Sequence, residues 1–347
     1  MKNKTVVFIM LIFSFLLLAL FRIASSRDFD RPIVLVHGIG GSAEDMEPMK
    51  NELVKMGVPE NNIRTIDLSS NKGAITENAQ YVGNEIIKIS EEFGDKKVMT
   101  IGYSMGGEIL DFLTKNQEEN VTYTHDKAVV KNIDTPLGEI PVGVEIEEIT
   151  KTIDNMPTHM EDYIDETILI GSGPSDLAQV GYLQSLTDDS KLAYQDLIPD
   201  SDFQKKLNSM SPNPKIKVNT ISGTDTAFTE EDDDVVSNED SKRDYAENNY
   251  EVKGISHGAL NESLKVISLL FNEITNGTLS NTDTRSVLEQ EKDQLLLQRS
   301  MKQQELAVAT KEMPCGALSD KITALQAEIN AIDRQIAAID AQLNSLQ

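Results

Sequence analysis

Short apolar runs alternate with longer amphipathic stretches along most of this chain. The apolar runs predict buried strands at residues 33–36, 63–67, 98–101, 168–170 and 216–221, with a sixth strand around Val252. Helices are predicted at residues 44–56, 75–93, 106–115 and 260–274. Strands that alternate with helices are typical of a mostly parallel sheet with helices on both faces, so we predict an α/β fold.

Two stretches interrupt this alternation. Residues 117–165 are polar and form an insertion without a clear apolar period, and residues 174–212 have a helical pattern. Both are expected to lie over an edge of the sheet, where elements that select substrates are found.

The N-terminus has the pattern of a targeting segment. Lys2 and Lys4 precede an apolar run over residues 5–21, and Ala24 and Ser26 have the spacing of a signal-peptidase site. Residues 1–26 are therefore interpreted either as a cleaved signal peptide or as an uncleaved membrane anchor. Both alternatives predict an extracytoplasmic protein, secreted or attached to the cell membrane.

The composition changes near residue 275. Residues 276–284 are interpreted as a linker, and residues 285–347 as two helices. The second of these helices has apolar residues at spacings that alternate between three and four, from Ile322 to Leu346, which is the seam of a coiled coil. The alternatives are a helical hairpin, a coiled coil that forms homo-oligomers or binds a partner helix, and a long helix that packs on the preceding domain.

The charge and the cysteine content exclude several classes of protein. The 347 residues include 57 acidic and 32 basic side chains, which gives a net charge of −25. Because the first 27 residues are basic, the acidic excess lies mainly in residues 28–275, and a surface of this kind repels nucleic acid. A single cysteine excludes a disulfide scaffold and a cysteine-rich zinc module. We expect no metal and no cofactor.

A glycine-rich turn follows the predicted strand at 98–101. Its residues 102–106 read Gly-Tyr-Ser-Met-Gly, which is the pattern G-x-S-x-G between a strand and a helix. Such a turn holds the serine in a strained conformation, with its hydroxyl clear of the sheet, and the glycines prevent clashes around it. Ser104 is therefore the candidate nucleophile.

A second glycine-rich turn, residues 37–41, follows the strand at 33–36 and reads His-Gly-Ile-Gly-Gly. A turn of this kind holds a backbone amide near the nucleophile of a neighbouring strand, where it stabilises an oxyanion. The predicted donors are the Ile39 amide and the amide of Met105, which follows the nucleophile. His37 is expected to brace the turn.

The candidate base is His257, in the segment Gly-Ile-Ser-His-Gly near the end of the domain. A base that takes the serine proton needs a pKa near neutrality, which favours histidine. His125 and His159 lie in the polar insertion and are expected at the surface.

The acid that orients this base is expected between Ser104 and His257 in the chain. Asp233 is followed by Val235 and Val236, apolar residues that would dock its loop. Asp225 lies closer to the end of the strand at 216–221, and Asp234 is a third candidate. Asp233 is preferred, but the residues alone leave all three open.

Taken together, these segments resemble the lipase and esterase branch of the α/β-hydrolase superfamily. The resemblance covers about residues 30–275 and rests on the His37 turn, the Ser104 turn, the segments at 170–174 and 197–208, Asp233 with its valines, and Ser256-His257. It implies a catalytic domain over residues 28–275 with the triad Ser104, Asp233 and His257. The insertion at 117–165 and the tail beyond residue 275 have no counterpart in the family pattern.

The function expected from these residues is hydrolysis of a carboxylic ester, from a small molecule or a lipid, through an acyl-enzyme. An acyltransferase or a thioesterase would use the same triad. A further alternative is a non-catalytic surface scaffold assembled by the C-terminal helices.

Overall fold

The computed structural model describes residues 31–135, 138–224 and 232–276, some positions between 292 and 306, and residues 318–345. The chain divides into two compact units, Met1–Ile267 and Ser268–Gln347. The predicted targeting segment, residues 1–26, lies outside the described residues. Among the described helices, none combines the length and the apolar character needed to cross a bilayer.

Six parallel strands form the sheet of the first unit, and two more form a separate hairpin. The strands are β1 (Ile33–Val36), β2 (Ile63–Ile66), β3 (Val98–Tyr103), β4 (Val121–Thr135), β5 (Gly138–Ile153), β6 (Ile164–Ile170), β7 (Lys217–Thr224) and β8 (Asn248–Lys253). The order in the sheet is β2-β1-β3-β6-β7-β8, and every neighbouring pair is parallel. Since the carboxyl ends of parallel strands meet at one edge, the turns after β3, β7 and β8 lie along the same edge.

Helices fill the connections between these strands, and one more follows the last strand. They are α1 (Glu47–Lys55), α2 (Ile75–Glu92), α3 (Met105–Lys115), α4 (Gln179–Ser185), α5 (Ala193–Asp196), α6 (Asp202–Ser209), α7 (Asn238–Ser241) and α8 (Leu264–Asn276). Every residue of β1 is buried, and so is every residue of α3. A strand whose side chains are all buried must be covered on both faces, so the predicted α/β fold is confirmed.

The polar insertion is a long antiparallel hairpin of β4 and β5, which the sequence analysis did not predict as strands. Val121, Tyr123 and His125 alternate along its buried face. The expectation that His125 lies at the surface is therefore wrong: the residue is 4% exposed, because the period-two pattern of β4 turns it toward the core. The side chain of His159 is 70% exposed, as expected.

The second insertion packs a carboxyl group into the core of the first unit. Asp196, at the end of α5, is buried, and its Oδ2 accepts a hydrogen bond of 2.8 Å from the amide of Ile75. Burial raises the pKa of Asp196 to about 7, although the hydrogen bond from Ile75 opposes the shift.

The second unit contains helix α9 (Leu318–Ser345). Four apolar residues of its seam are buried: Leu325, Ile329, Ile339 and Leu343. Three ion pairs join it to the preceding stretch: Lys292 with Asp340, Arg299 with Asp333, and Lys302 with Glu328. Because the residue numbers rise on one side as they fall on the other, the two stretches run antiparallel.

Candidate active site

The turn from β3 to α3 holds Ser104 in an unusual conformation. Ser104 has φ of 54° and ψ of −125°, a region that residues with a side chain rarely adopt and that stores strain at functional sites. A Cβ added at Gly102 would lie 2.5 Å from the Gly106 carbonyl oxygen, and one added at Gly106 would lie 2.4 Å from that of Val36. Glycine is therefore required at position 102 for the turn to pack against the start of α3, and at position 106 for α3 to pack against the end of β1.

His257 connects Ser104 to a carboxylate. It follows β8 and begins a short 3-10 turn, His257–Ala259. Its Nε2 lies 2.9 Å from Ser104 Oγ, and its Nδ1 lies 2.8 Å from Asp233 Oδ2. When Nδ1–H donates to the carboxylate, Nε2 is free to accept the hydroxyl proton of Ser104. The structure thus brings together the predicted nucleophile, base and acid.

The Asp233 carboxylate is held in place by its own loop. Its side chain is buried, and Oδ1 accepts hydrogen bonds from the amides of Val235 (3.1 Å) and Val236 (2.7 Å). The backbone carbonyl of Asp233 accepts a further bond of 2.6 Å from the His257 amide. One carboxylate oxygen is thus fixed by the loop, while the other faces the imidazole.

The two other candidate acids differ in their placement. Asp234 has φ of 78°, and its amide donates to the side chain of Asp232. Asp225 lies outside the described residues. Of the two candidates that the structure describes, Asp233 is the one in contact with His257.

His37 braces the turn at residues 37–41, hereafter the glycine turn. Its Nδ1–H donates to the carbonyl oxygen of Gly38 (2.8 Å), and Nε2 accepts from the amide of Leu68 (3.2 Å). The ring is buried, and both nitrogens are engaged with backbone groups. His37 therefore ties the end of β1 to the segment after β2.

The predicted oxyanion donors lie on the two segments that flank Ser104. A Cβ added at Gly38 would lie 3.0 Å from the Cβ of Ser104, so the glycine turn approaches the nucleophile closely. Met105 is the first residue of α3, where amides have no partner within the helix. Within the described part of the chain, the amides of Ile39 and Met105 donate no hydrogen bond, which leaves both available to an incoming oxygen.

Comparison with known proteins agrees with this architecture. A family described as "Putative serine esterase (DUF676)" matches residues 27–135. The mature lipase BlEst2 of Bacillus licheniformis aligns with 71% of this chain and 92% of its own, at 17% identity and a TM-score of 0.50. Its propeptide form aligns with 72% of this chain and 51% of its own, at 18% identity and the same TM-score of 0.50. The chain has the α/β-hydrolase fold.

In this fold the three candidate side chains follow three different strands. Ser104 follows β3, Asp233 lies beyond β7, and His257 follows β8. The chain order Ser, Asp, His is the order found with G-x-S-x-G turns in this fold. The described residues contain no cluster of three His, Cys, Asp or Glu side chains placed to hold a metal ion.

Tyr103 also contacts the candidate base, and sequence reasoning missed it. Its hydroxyl donates to the carbonyl oxygen of His257 (2.8 Å), and the two rings lie 5.2 Å apart. Burial, with the nearby carboxylates of Asp233 and Asp45, raises the pKa of this phenol, so it stays protonated and remains a donor. The sequence around Tyr103 contains no pattern that distinguishes this tyrosine from one that only packs in the core.

A buried ion cluster joins helix α3 to the segment that follows the acid. Arg243 donates to Glu108 (2.6 Å) and Asp111 (2.7 Å), which lie one turn apart on α3. Lys115 Nζ lies 3.2 Å from Asp111 and 4.4 Å from the centre of the Tyr245 ring. Burial opposes the charge of Arg243, but Asp111 and Glu108 outweigh it and hold its pKa above the usual value. The cluster fixes the helix behind Ser104 relative to the segment at 240–245.

Proposed function

We propose that this chain is a serine hydrolase that cleaves carboxylic esters. The observation that carries the proposal is the hydrogen-bonded series from Ser104 Oγ through His257 to Asp233, placed at a strained turn before a helix. The family match over residues 27–135 and the shared fold support the same reaction class.

The proposed reaction has two stages. Ser104 Oγ attacks the ester carbonyl while His257 Nε2 takes the hydroxyl proton, and the oxyanion is held by the amides of Ile39 and Met105. The imidazolium returns its proton to the departing alcohol, which leaves an acyl-serine. Water then attacks this ester by the same route and releases the acid. Asp233 orients the imidazole and stabilises its charged form in both stages.

The test is covalent labelling of the full chain with a fluorophosphonate, together with turnover of p-nitrophenyl butyrate. We expect both in the wild type and neither in Ser104→Ala. Ser209→Ala is the matched control, because Ser209 is an exposed residue at the end of α6. A folded Ser104→Ala protein that keeps its labelling and turnover would refute the proposal.

The proposal also specifies the type of bond that is cleaved. An oxygen ester is favoured over a thioester or a transfer to another acceptor because the matching family is described as an esterase. Comparing the rates with butyryl thiocholine and p-nitrophenyl butyrate separates a thioesterase from an esterase. Adding glycerol as an acceptor tests for acyl transfer. A higher specificity constant for the thioester, or butyrylglycerol as the main product, would reverse this assignment.

We propose in addition that residues 1–26 place the catalytic domain outside the cytoplasm. The basic start and the apolar run over 5–21 support export. Expression of the full chain in a bacterium, followed by protease treatment of intact cells, tests this. Protection from the protease until the cells are lysed would contradict export.

A further inference from the structure

A cavity lies beside the glycine turn. It has a volume of about 430 Å³ and is lined by three segments: Gly41 of the glycine turn with the adjacent Ser42, Asp67 and Lys72 from the stretch after β2, and Lys191 from the second insertion. His37 forms part of its wall as well. The cavity therefore shares a wall with the turn that carries the predicted oxyanion donor, Ile39.

Lys72 is the distinctive group of this cavity. Its ammonium makes no ion pair or hydrogen bond with the rest of the described chain, although the domain is strongly acidic. A carbon added at Gly40 would lie 3.9 Å from Lys72 Nζ, so the charge rests against the glycine turn. A half-buried cation without a carboxylate partner is suited to bind an anion.

The backbone around Lys72 is fixed on both sides. The amide of Gly40 donates to the carbonyl oxygen of Asn71 (2.7 Å), and the amide of Ala193 donates to that of Lys72 (3.0 Å). The first bond ties the segment to the glycine turn, and the second ties it to the insertion. The backbone of Lys72 is thus held by hydrogen bonds to two other segments of the chain.

The lining residues carry two ammonium groups, Lys72 and Lys191, and one carboxylate, Asp67. Lys191 lies 3.4 Å from Asp188, a partly exposed pair, and adds a second ammonium to the lining. Asp67 also lines the cavity, and its Oδ1 accepts a hydrogen bond of 2.6 Å from the Ala43 amide. Serine hydroxyls from residues 42, 69 and 70 complete a polar lining.

We propose that this cavity binds an anionic group of the size of phosphate, carried by the ester substrate, with Lys72 as its principal contact. The inference rests on the proposed esterase function and names its substrate class: esters that carry a negative charge near the scissile bond. It also assigns the glycine turn a second role, since Gly38 lies against Ser104 and Gly40 lies against Lys72.

The test compares two soluble esters that differ in one group, 1-butyrylglycerol and 1-butyrylglycerol 3-phosphate. We expect the full chain to have the higher kcat/KM for the phosphate ester, and Lys72→Gln to lower the ratio of the two values about tenfold, the effect of one charge-assisted hydrogen bond. Lys55→Gln removes an equal charge from an exposed position on α1 and should leave the ratio unchanged. Equal slowing of both esters by Lys72→Gln would overturn the proposal.

A binding measurement separates this inference from the esterase proposal. Calorimetry with the Ser104→Ala chain should detect glycerol 3-phosphate but not glycerol, and Lys72→Gln in that background should abolish the signal. If glycerol 3-phosphate binds while neither ester is hydrolysed by the wild type, the catalytic proposal fails and the anion site stands. Absence of binding, or tighter binding of inorganic phosphate than of glycerol 3-phosphate, refutes the assignment to substrate.

Discussion

At the scale of single residues, neighbouring carboxylates have different surroundings. Two amides hold the Asp233 carboxylate, which contacts His257, whereas Asp234 has a left-handed backbone conformation and its amide donates to the side chain of Asp232. The sequence could narrow the acid to three candidates because it must lie between Ser104 and His257. The sequence could not distinguish the three, because the identity of the acid depends on which carboxylate is held by backbone amides of the same loop and so contacts His257.

This difference gives a matched pair of substitutions. Asp233→Asn should lower kcat roughly 10³- to 10⁴-fold, because a neutral amide does not stabilise the imidazolium. Asp234→Asn should change kcat less than twofold, since asparagine tolerates the left-handed conformation of that position. Hydrolysis of p-nitrophenyl butyrate measures both. Comparable losses in the two variants would contradict the assignment of Asp233.

Asp196 makes the stability of the protein depend on pH. Its pKa is about 7 in the folded chain against an ordinary value of 3.8, so the folded state binds the proton more tightly. The stabilisation is complete below the unfolded pKa and is lost as the pH rises through the folded pKa. We expect the contribution of Asp196 to the free energy of unfolding to fall by a few kcal/mol, on the order of what the shift implies, between about pH 4 and pH 8.

Asp196→Asn should remove most of this slope and raise the stability at pH 8, because the amide oxygen still accepts the bond from Ile75. Urea unfolding at a series of pH values measures the effect. Asp200→Asn is the control, because Asp200 is exposed on the turn after α5. An unchanged slope in Asp196→Asn would show that other groups carry the pH dependence.

At the scale of elements, α3 is held by charge as well as by apolar packing. Glu108 and Asp111 lie on a helix whose residues are all buried, and Arg243 neutralises both from the segment after α7. Removing one member of a buried ion cluster leaves its partners uncompensated. The link from the nucleophile helix to the segment beyond Asp233 should therefore be sensitive to a single substitution.

Arg243→Met should destabilise the protein by about 3–5 kcal/mol, since it removes the guanidinium from two buried carboxylates and leaves Lys115 as the remaining cation beside Asp111. The triple variant Glu108→Gln, Asp111→Asn, Arg243→Met should recover part of that loss. Urea unfolding measures both, with Lys55→Met as the surface control. A single variant within about 0.5 kcal/mol of the wild type would show that the cluster contributes little.

The elements that the sequence predicted well are those with continuous apolar runs. β1 and most of β3 are buried, and their short runs of apolar residues are typical of strands covered on both faces. The hairpin was missed because its strands mix apolar and charged residues, although positions 140, 142, 144 and 146 alternate. The start of β6 was missed because the charged Glu166 interrupts the apolar run. In the fold this side chain is buried, and its carboxylate accepts hydrogen bonds from Arg31 and Asn219.

At the scale of the whole molecule, the tail bears on the oligomeric state. Seam residues of α9 such as Leu325 and Ile339 are buried within a single chain, and three ion pairs join α9 to the preceding stretch of the same chain. A seam that is already covered offers little apolar surface for association. We therefore expect the full chain to remain monomeric.

Multi-angle light scattering in mild detergent tests this expectation, with 38.4 kDa as the monomer mass. A stable dimer that disappears on removal of residues 277–347 would mean that the seam pairs between chains instead. The oligomerisation alternative would then hold.

The contact between Ser104 and His257 spans 153 positions of the chain. The reactive centre thus exists only after β6, β7 and β8 have been added to the sheet beyond β3. Partly folded forms that lack the last strands would hold the strained serine without its base. Since such long-range pairings form slowly, recovered activity after dilution from denaturant should follow the slowest refolding phase. Enzymatic turnover is then a readout of completed assembly, more stringent than the return of helical circular dichroism.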